Sequence, residues 1–131
     1  MAHVTPSPEQ IAAMMSAPDD GPILMLNLIQ LREKADYPDD RDASGAEAYT
    51  AYAREIAPAL QGVGGEVVFS GAPKLMVIGP EDERWDLCFV VRYPSAAAFG
   101  EMLADPVYQA AAVHRTAAVA DSRLVRMAPD A

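Results

Sequence analysis

Cysteine is almost missing from this chain. Its 131 residues include a single one, Cys88, so no disulfide can form within the chain and no CxxC or Cys/His cluster points to zinc. Histidine is nearly as scarce, with two residues, His3 and His114. They form no HxH or HxxxH pair, so a metal site has no nucleus of ligands and none is expected. No apolar run approaches the roughly 18 residues of a membrane-spanning helix. The first residues lack the basic and long apolar stretches of a secretory leader, so a cytoplasmic protein is expected. Positive charge is short as well: 10 Lys and Arg against 19 Asp and Glu leave a net charge of −9. Such a surface repels phosphate backbones, which argues against nucleic acid as a partner, and the acidity reads as solubility. There is no GxSxG elbow, no P-loop and no GxGxxG, so the common nucleophile and nucleotide motifs are missing and no cofactor is implied.

What is present is material for a core. Hydrophobic residues make up 51% of the chain, enough for one domain that needs no metal or disulfide. Cys88 falls in the apolar run Leu87 to Val91 and is expected to be a buried core thiol.

Local signals divide the chain. The first residues, up to Ser7, read as frayed. Ser7-Pro8-Glu9-Gln10 is a helix start with a capping box, followed by the apolar residues Ile11, Met14 and Met15. Pro18 to Pro22 ends that helix. Ile23 to Leu31 is a strand apolar on both faces, which predicts cover on both. Asn27 interrupts it, on the face shared by Ile23, Met25 and Ile29. Arg32 to Ala43 is a long charged loop, of the kind that often borders a site. Ser44 caps a helix carrying Tyr49, Tyr52, Ile56 and Leu60 at helical spacing, closed by Val63-Gly64-Gly65. Pro58 is expected to kink that helix or close its last turn.

Glu66 to Ser70 reads as a second strand, bent at Gly71-Ala72-Pro73 and continued by Lys74 to Gly79. A third strand begins at Arg84 or Trp85 and runs to Tyr93. Ser95 caps a helix that buries Phe99, Met102 and Leu103. Asp105-Pro106 then restarts it, with Tyr108, Ala111, Ala112 and Arg115 along one face. Asp121 to Met127 is the last strand.

The order is βαββαβ behind an extra N-terminal helix. It predicts an α+β, ferredoxin-like protomer, with an antiparallel sheet and its helices on one face. Residues 1–20 are read as a helical extension and residues 21–131 as the domain. The second apolar face of the sheet calls for a partner, and a symmetric homodimer, sheet against sheet, is the simplest one.

Leu26-Asn27-Leu28, the Tyr49/Tyr52 helix, Gly64-Gly65, Trp85, Tyr93-Pro94-Ser95, Phe99, Asp105-Pro106-Val107-Tyr108 and His114-Arg115 together resemble the domain-of-unknown-function family numbered 1330. The resemblance spans about Gly21 to Met127. It implies the dimeric α/β-barrel superfamily, whose members include cofactor-free monooxygenases, lactone isomerases, haem-handling proteins and proteins of no known activity. It carries no established reaction.

Five polar residues are the candidates for a mostly apolar cleft between sheet and helices. His114 is the candidate acid or base, against a structural role at a helix end. Arg115 shares an inward face and needs a partner, with Asp121 or Asp86 expected. It either ties helix to strand or anchors a carbonyl or carboxylate. Asn27 is a buried amide that bonds either to backbone or to a ligand. Trp85 caps the core or, by analogy with the superfamily's monooxygenases, works with Asn27. Tyr52, beside Tyr49, either donates into the cleft or reaches solvent. The reading is a small-molecule enzyme or binder for an apolar ligand with a carbonyl or carboxylate, with cofactor-free oxygenation or isomerisation as its chemistry. The alternatives are a non-catalytic ligand-binding module and a structural dimerisation module.

Overall fold

The computed structural model describes residues 2–18 and 21–130. Its elements are α1 (Pro8–Ser16), β1 (Ile23–Leu31), α2 (Gly45–Gly62), β2 (Glu66–Gly71), β3 (Leu87–Tyr93), α3 (Ala96–Ala104), α4 (Pro106–Ala118) and β4 (Val119–Met127). The strands form one sheet in the order β2-β3-β1-β4, and every neighbouring pair is antiparallel. β3 is thus inserted between β1 and β2, and β1 between β3 and β4. Two interlocked split βαβ units result, which is the ferredoxin-like arrangement.

The helices begin where their caps lie. Ser7 and Ser44 each close a capping box, with Gln10 and Glu47. The Ser95 hydroxyl accepts from the Ala98 N–H, and Asp105 accepts from the Val107 N–H with Pro106 in the first turn. Each cap satisfies a donor that the first turn leaves free. α2 runs through Pro58 and stops at Gly64, whose φ of +79° is open to glycine at little cost. There the Gly64 and Gly65 N–H groups close back on Gln61 and Leu60.

The register assigns the sheet faces. Ile23, Met25, Asn27 and Ile29 pair with Tyr93, Val91, Phe89 and Leu87, so these residues share one face. That face meets the helices through two clusters. Ile23, Met25, Val91 and Tyr93 pack with Ala59 of α2 and with Phe99 and Met102 of α3. Ile29 and Val119 pack with Ala48, Ala117 and Ala118, joined by Ala35 and Tyr37 from the 32–43 loop. Phe89 touches both clusters, and Asn27 stands opposite it at the join.

The other face carries Leu24, Leu26 and Leu28 of β1 and Cys88 and Val90 of β3, none fully buried. Phe69 of β2 and Val125 of β4 extend it and are 58% and 47% exposed. Both core clusters lie on the opposite side. The chain exposes 8181 Å², about a fifth more than the roughly 6,700 Å² expected of a folded monomer of its 14.0 kDa mass.

Several expectations are corrected. Lys74 to Gly79 does not continue β2. Pairing ends at Gly71↔Cys88, and β3 begins at Leu87, two residues after Trp85, so nothing lies opposite the 74–79 segment to receive its hydrogen bonds. β4 begins at Val119, two residues before Asp121. The second face of β1 is not covered within the chain. Cys88 lies on that face and is only half-buried. Ile11 and Met15 of α1 are exposed, and only Met14 joins a core cluster. The residues before Ser7 are held rather than frayed: the His3 N–H donates to Asp121 and the His3 carbonyl accepts from Ser122. The expected turn at Pro18 to Pro22 includes Asp19 and Asp20, which lie outside the described residues.

Candidate functional site

α2 and α4 pack together over the sheet. Helical spacing places Tyr49, Tyr52 and Glu55 on one side of α2 and Tyr108 and Arg115 on one side of α4. The rings make a ladder outward from the sheet. Tyr49 packs on Phe89, Tyr52 on Tyr49, and Tyr108 edge-on to Tyr52. The Tyr52 hydroxyl donates to that of Tyr108 at 3.4 Å. Burial pushes the Tyr49 phenol up to about 12, while the positive charge of Arg115 pulls the other way. Tyr52 is raised further, first by burial and then by Tyr108. Both phenols are therefore neutral near pH 7, able to donate a hydrogen bond and unable to act as phenolates.

His114 is held at both ring nitrogens. Nε2 lies 2.9 Å from a carboxylate oxygen of Glu55, and Nδ1 lies 2.6 Å from the Tyr37 hydroxyl. In the tautomer with its proton on Nε2, the ring donates to Glu55 and Nδ1 accepts from the Tyr37 hydroxyl. Tyr37 comes from the 32–43 loop, is buried, and carries the Arg41 guanidinium 4.1 Å above its ring. Arg41 in turn pairs with Asp39. The long loop is thus fastened to α4 through His114.

Arg115 meets neither expected carboxylate. Nη1 donates to the Val4 carbonyl at 2.6 Å and Nη2 to the Ser122 hydroxyl at 3.4 Å. Asp121 is instead occupied by the His3 N–H, the Ser122 N–H and Arg123. Burial raises its pKa, but those donors outweigh it and hold the carboxyl below the ordinary range. Asp86 accepts from the Leu31 N–H and faces Arg84.

The Asn27 amide donates to the Met25 carbonyl at 3.1 Å, and its place opposite Phe89 puts it beneath the Tyr49 end of the ladder. Trp85 is buried, but its ring meets the Arg123 guanidinium at 5.1 Å, and Arg123 pairs with Leu28 on the open face. The fold therefore places Tyr52 within the aromatic layer and Asn27 opposite Phe89 at its base, turns Arg115 to Val4 and Ser122, holds His114 between Glu55 and Tyr37, and sets Trp85 apart.

A groove of about 440 Å³ opens between α2 and the β2 edge of the sheet. Tyr49, Thr50 and Ala53 of α2, Val67 of β2, and Leu87 and Phe89 of β3 line it. Tyr49 belongs to both groove and ladder. Among the described residues no group of three His, Cys, Asp or Glu is placed to hold a metal.

Against this geometry, a family model described as "Domain of unknown function (DUF1330)" matches residues 40–128. The chain belongs to this DUF1330 family. The crystal structure of RPA0582, a protein of unknown function from Rhodopseudomonas palustris, is similar to it at 50% identity over 100% of this chain and 99% of that one, with a TM-score of 0.96. Methylated RPA0582 is similar at 51% identity over 99% and 96% of the two chains, with a TM-score of 0.97. A dabb family protein with a ferredoxin-like fold from Mesorhizobium loti covers 86% of this chain and 100% of its own at 17% identity and a TM-score of 0.51, a likeness of fold alone. No curated protein matches the chain. No helix among the described residues is long and apolar enough to cross a membrane.

Sequence reasoning passed over Tyr37 and Glu55. Glu55 is one charged residue among several on an amphipathic helix, and nothing local marks it. Tyr37 did leave a signal, as the aromatic residue within a charged loop.

Proposed function

We propose that this DUF1330 chain binds a small apolar molecule bearing a carbonyl or carboxylate, and does so as a cytoplasmic homodimer. The groove beside α2 carries the reading. Its volume of about 440 Å³ lies within the range of roughly 300–1,000 Å³ usual for small-molecule sites, and its walls are mostly apolar. Tyr49 supplies a neutral donor there, and the positive charge of Arg115 acts on its phenol. Tyr52 packs on Tyr49, and Asn27 lies opposite Phe89, which lines the groove. The homodimer is supported by the open apolar face of the sheet, and a lone thiol suits a reducing compartment.

A second reading is catalytic: proton transfer in a cofactor-free oxygenation or isomerisation. One observation favours it, the Glu55–His114–Tyr37 chain. An imidazole polarised by a carboxylate on one nitrogen and hydrogen-bonded to a phenol on the other is the arrangement proton relay uses. His114 and Tyr37 would move the proton, and Arg115 would stabilise the developing oxyanion.

The test is titration with 8-anilinonaphthalene-1-sulfonate, an apolar anion whose emission rises on burial. Wild type is expected to bind one molecule per chain, displaced by octanoate. Ala53→Trp, which fills the groove from α2, is expected to weaken binding at least tenfold. Equal binding by the two proteins would sink the groove as the site.

A further inference from the structure

Between β2 and β3 the chain leaves the body. Residues 72–86 form an arm on which Leu75, Val77 and Ile78 are 82%, 82% and 92% exposed. Three large aliphatic side chains in solvent on one short segment are not what a monomer keeps. The arm is also shaped. Gly79 sits at φ +146°, a conformation other residues rarely adopt, and the Met76 thioether packs where its Cβ would stand. A turn closes between Glu83 and Pro80. The base is clamped on both sides: Gly71 pairs with Cys88, the Asp86 N–H donates to the Ile29 carbonyl, and the Asp86 carboxylate accepts from Leu31. This is a preformed loop held outward.

The arm springs from the same sheet edge that borders the groove. β2 is exposed along its whole length. Across from it, Ala46, Thr50 and Ala53 line the α2 side of the groove and are exposed. Groove and arm are both apolar and both uncovered. The surplus of about 1,500 Å² over an ordinary monomer exceeds the roughly 800 Å² that one partner buries in a standard interface. That leaves area for a second element besides the sheet face.

We propose that the arm reaches a second copy of this chain, where Leu75, Val77 and Ile78 form the outer wall of the groove. The site is then composite: α2, β2 and β3 come from one copy and the wall from the other. With its base clamped, the arm leaves Leu75, Val77 and Ile78 in solvent and off the groove of its own chain, which favours exchange over folding back. A two-fold dimer makes the exchange reciprocal and closes both grooves. This rests on the groove being the site, as proposed above, but its test does not depend on any ligand.

The experiment pairs two single-cysteine chains in a Cys88→Ser background. One carries Ile78→Cys and an affinity tag, the other carries Thr50→Cys without a tag. They are co-expressed, purified as dimers by sedimentation, and treated with a short bis-maleimide. A covalent pair of one tagged and one untagged chain is expected, linked through positions 78 and 50. A dimer that yields no such pair would overturn the arm while leaving the sheet-to-sheet dimer intact. A monomer would overturn exchange, and so would a third chain, carrying both Ile78→Cys and Thr50→Cys, that cross-links only within itself, which would point to a lid. As a second measurement, Val77→Asp with Ile78→Asp, checked for fold by circular dichroism, is expected to weaken dimerisation at least 100-fold. An unchanged dimer constant would count against the proposal whatever the cross-linking shows.

Discussion

The Tyr37 hydroxyl and Nδ1 of His114 lie 2.6 Å apart across 77 residues of chain. The bond fastens a charged loop to the last helix and leaves His114 no free nitrogen, since Glu55 holds the other.

Tyr37→Phe removes the hydroxyl and strands Nδ1 in a mostly buried position. The expected cost is about 1 kcal/mol, a fall in Tm of about 3–5 °C by thermal denaturation. Glu55→Gln, which keeps an acceptor for Nε2, is expected to cost less. The reverse order would show that the carboxylate, and not the phenol, holds the ring.

Alkaline stability follows from the tyrosine ladder. Burial raises the Tyr49 phenol from 10.0 to about 12 and moves Tyr52 and Tyr93 in the same direction. Above pH 10 the unfolded chain loses protons that the folded chain still holds, so stability falls as pH rises. Urea titrations from pH 8 to pH 11 are expected to show this decline, and Tyr52→Phe is expected to make it shallower. A parallel decline in the variant would remove Tyr52 from the cause.

Arg115→Ala leaves the Val4 carbonyl without its guanidinium donor and the Ser122 hydroxyl with one partner fewer. A loss of about 1–3 kcal/mol is expected, with faster amide exchange at residues 3–5. Unchanged exchange there would mean that Asp121 and Ser122 hold the N-terminal segment alone.

Two glycines of α2 make a controlled pair. A Cβ on Gly45 would overlap the Arg32 carbonyl, which is backbone and cannot give way, while one on Gly62 meets nothing. Gly45→Ala is expected to cost more than about 2 kcal/mol, and Gly62→Ala to be neutral or stabilising by up to about 1 kcal/mol. Equal midpoints in denaturant would contradict the close approach of the loop to the helix.

Val90→Asp places a charge in the open sheet face without touching a helix. Val90 lies in the proposed sheet-to-sheet interface, so sedimentation is expected to give a folded monomer, because such a core does not accept an unpaired carboxylate. A persistent dimer would move the interface off the sheet.

Much of the fold was legible because its signals are local. Ser7, Ser44, Ser95 and Asp105 announce helix starts through hydrogen bonds that span two or three residues, and Gly64 announces a stop through its own backbone. Alternation along β1 put Asn27 on the face of Ile23, Met25 and Ile29, because side-chain direction in a strand depends on parity alone; packing made that face the helix side. The family resemblance drew on the same short strings. The 74–79 segment misled because its apolar composition suits a strand, while a strand also needs a neighbour, and composition cannot supply one.

The site was legible only as a set of residue types. Which partner Arg115 takes depends on Val4, 111 positions away, and no spacing rule reaches that far. His114 was visible as a lone histidine, but Glu55 and Tyr37 became its partners only when α2, α4 and the 32–43 loop packed together. The same holds for the open sheet face and the outward arm. The sequence alone determined where the chain turns helical, where it stops and which faces are apolar, since these are set by neighbours within a few residues. Which polar groups meet, and which apolar surface stays uncovered, was decided by the packing of elements far apart in the chain.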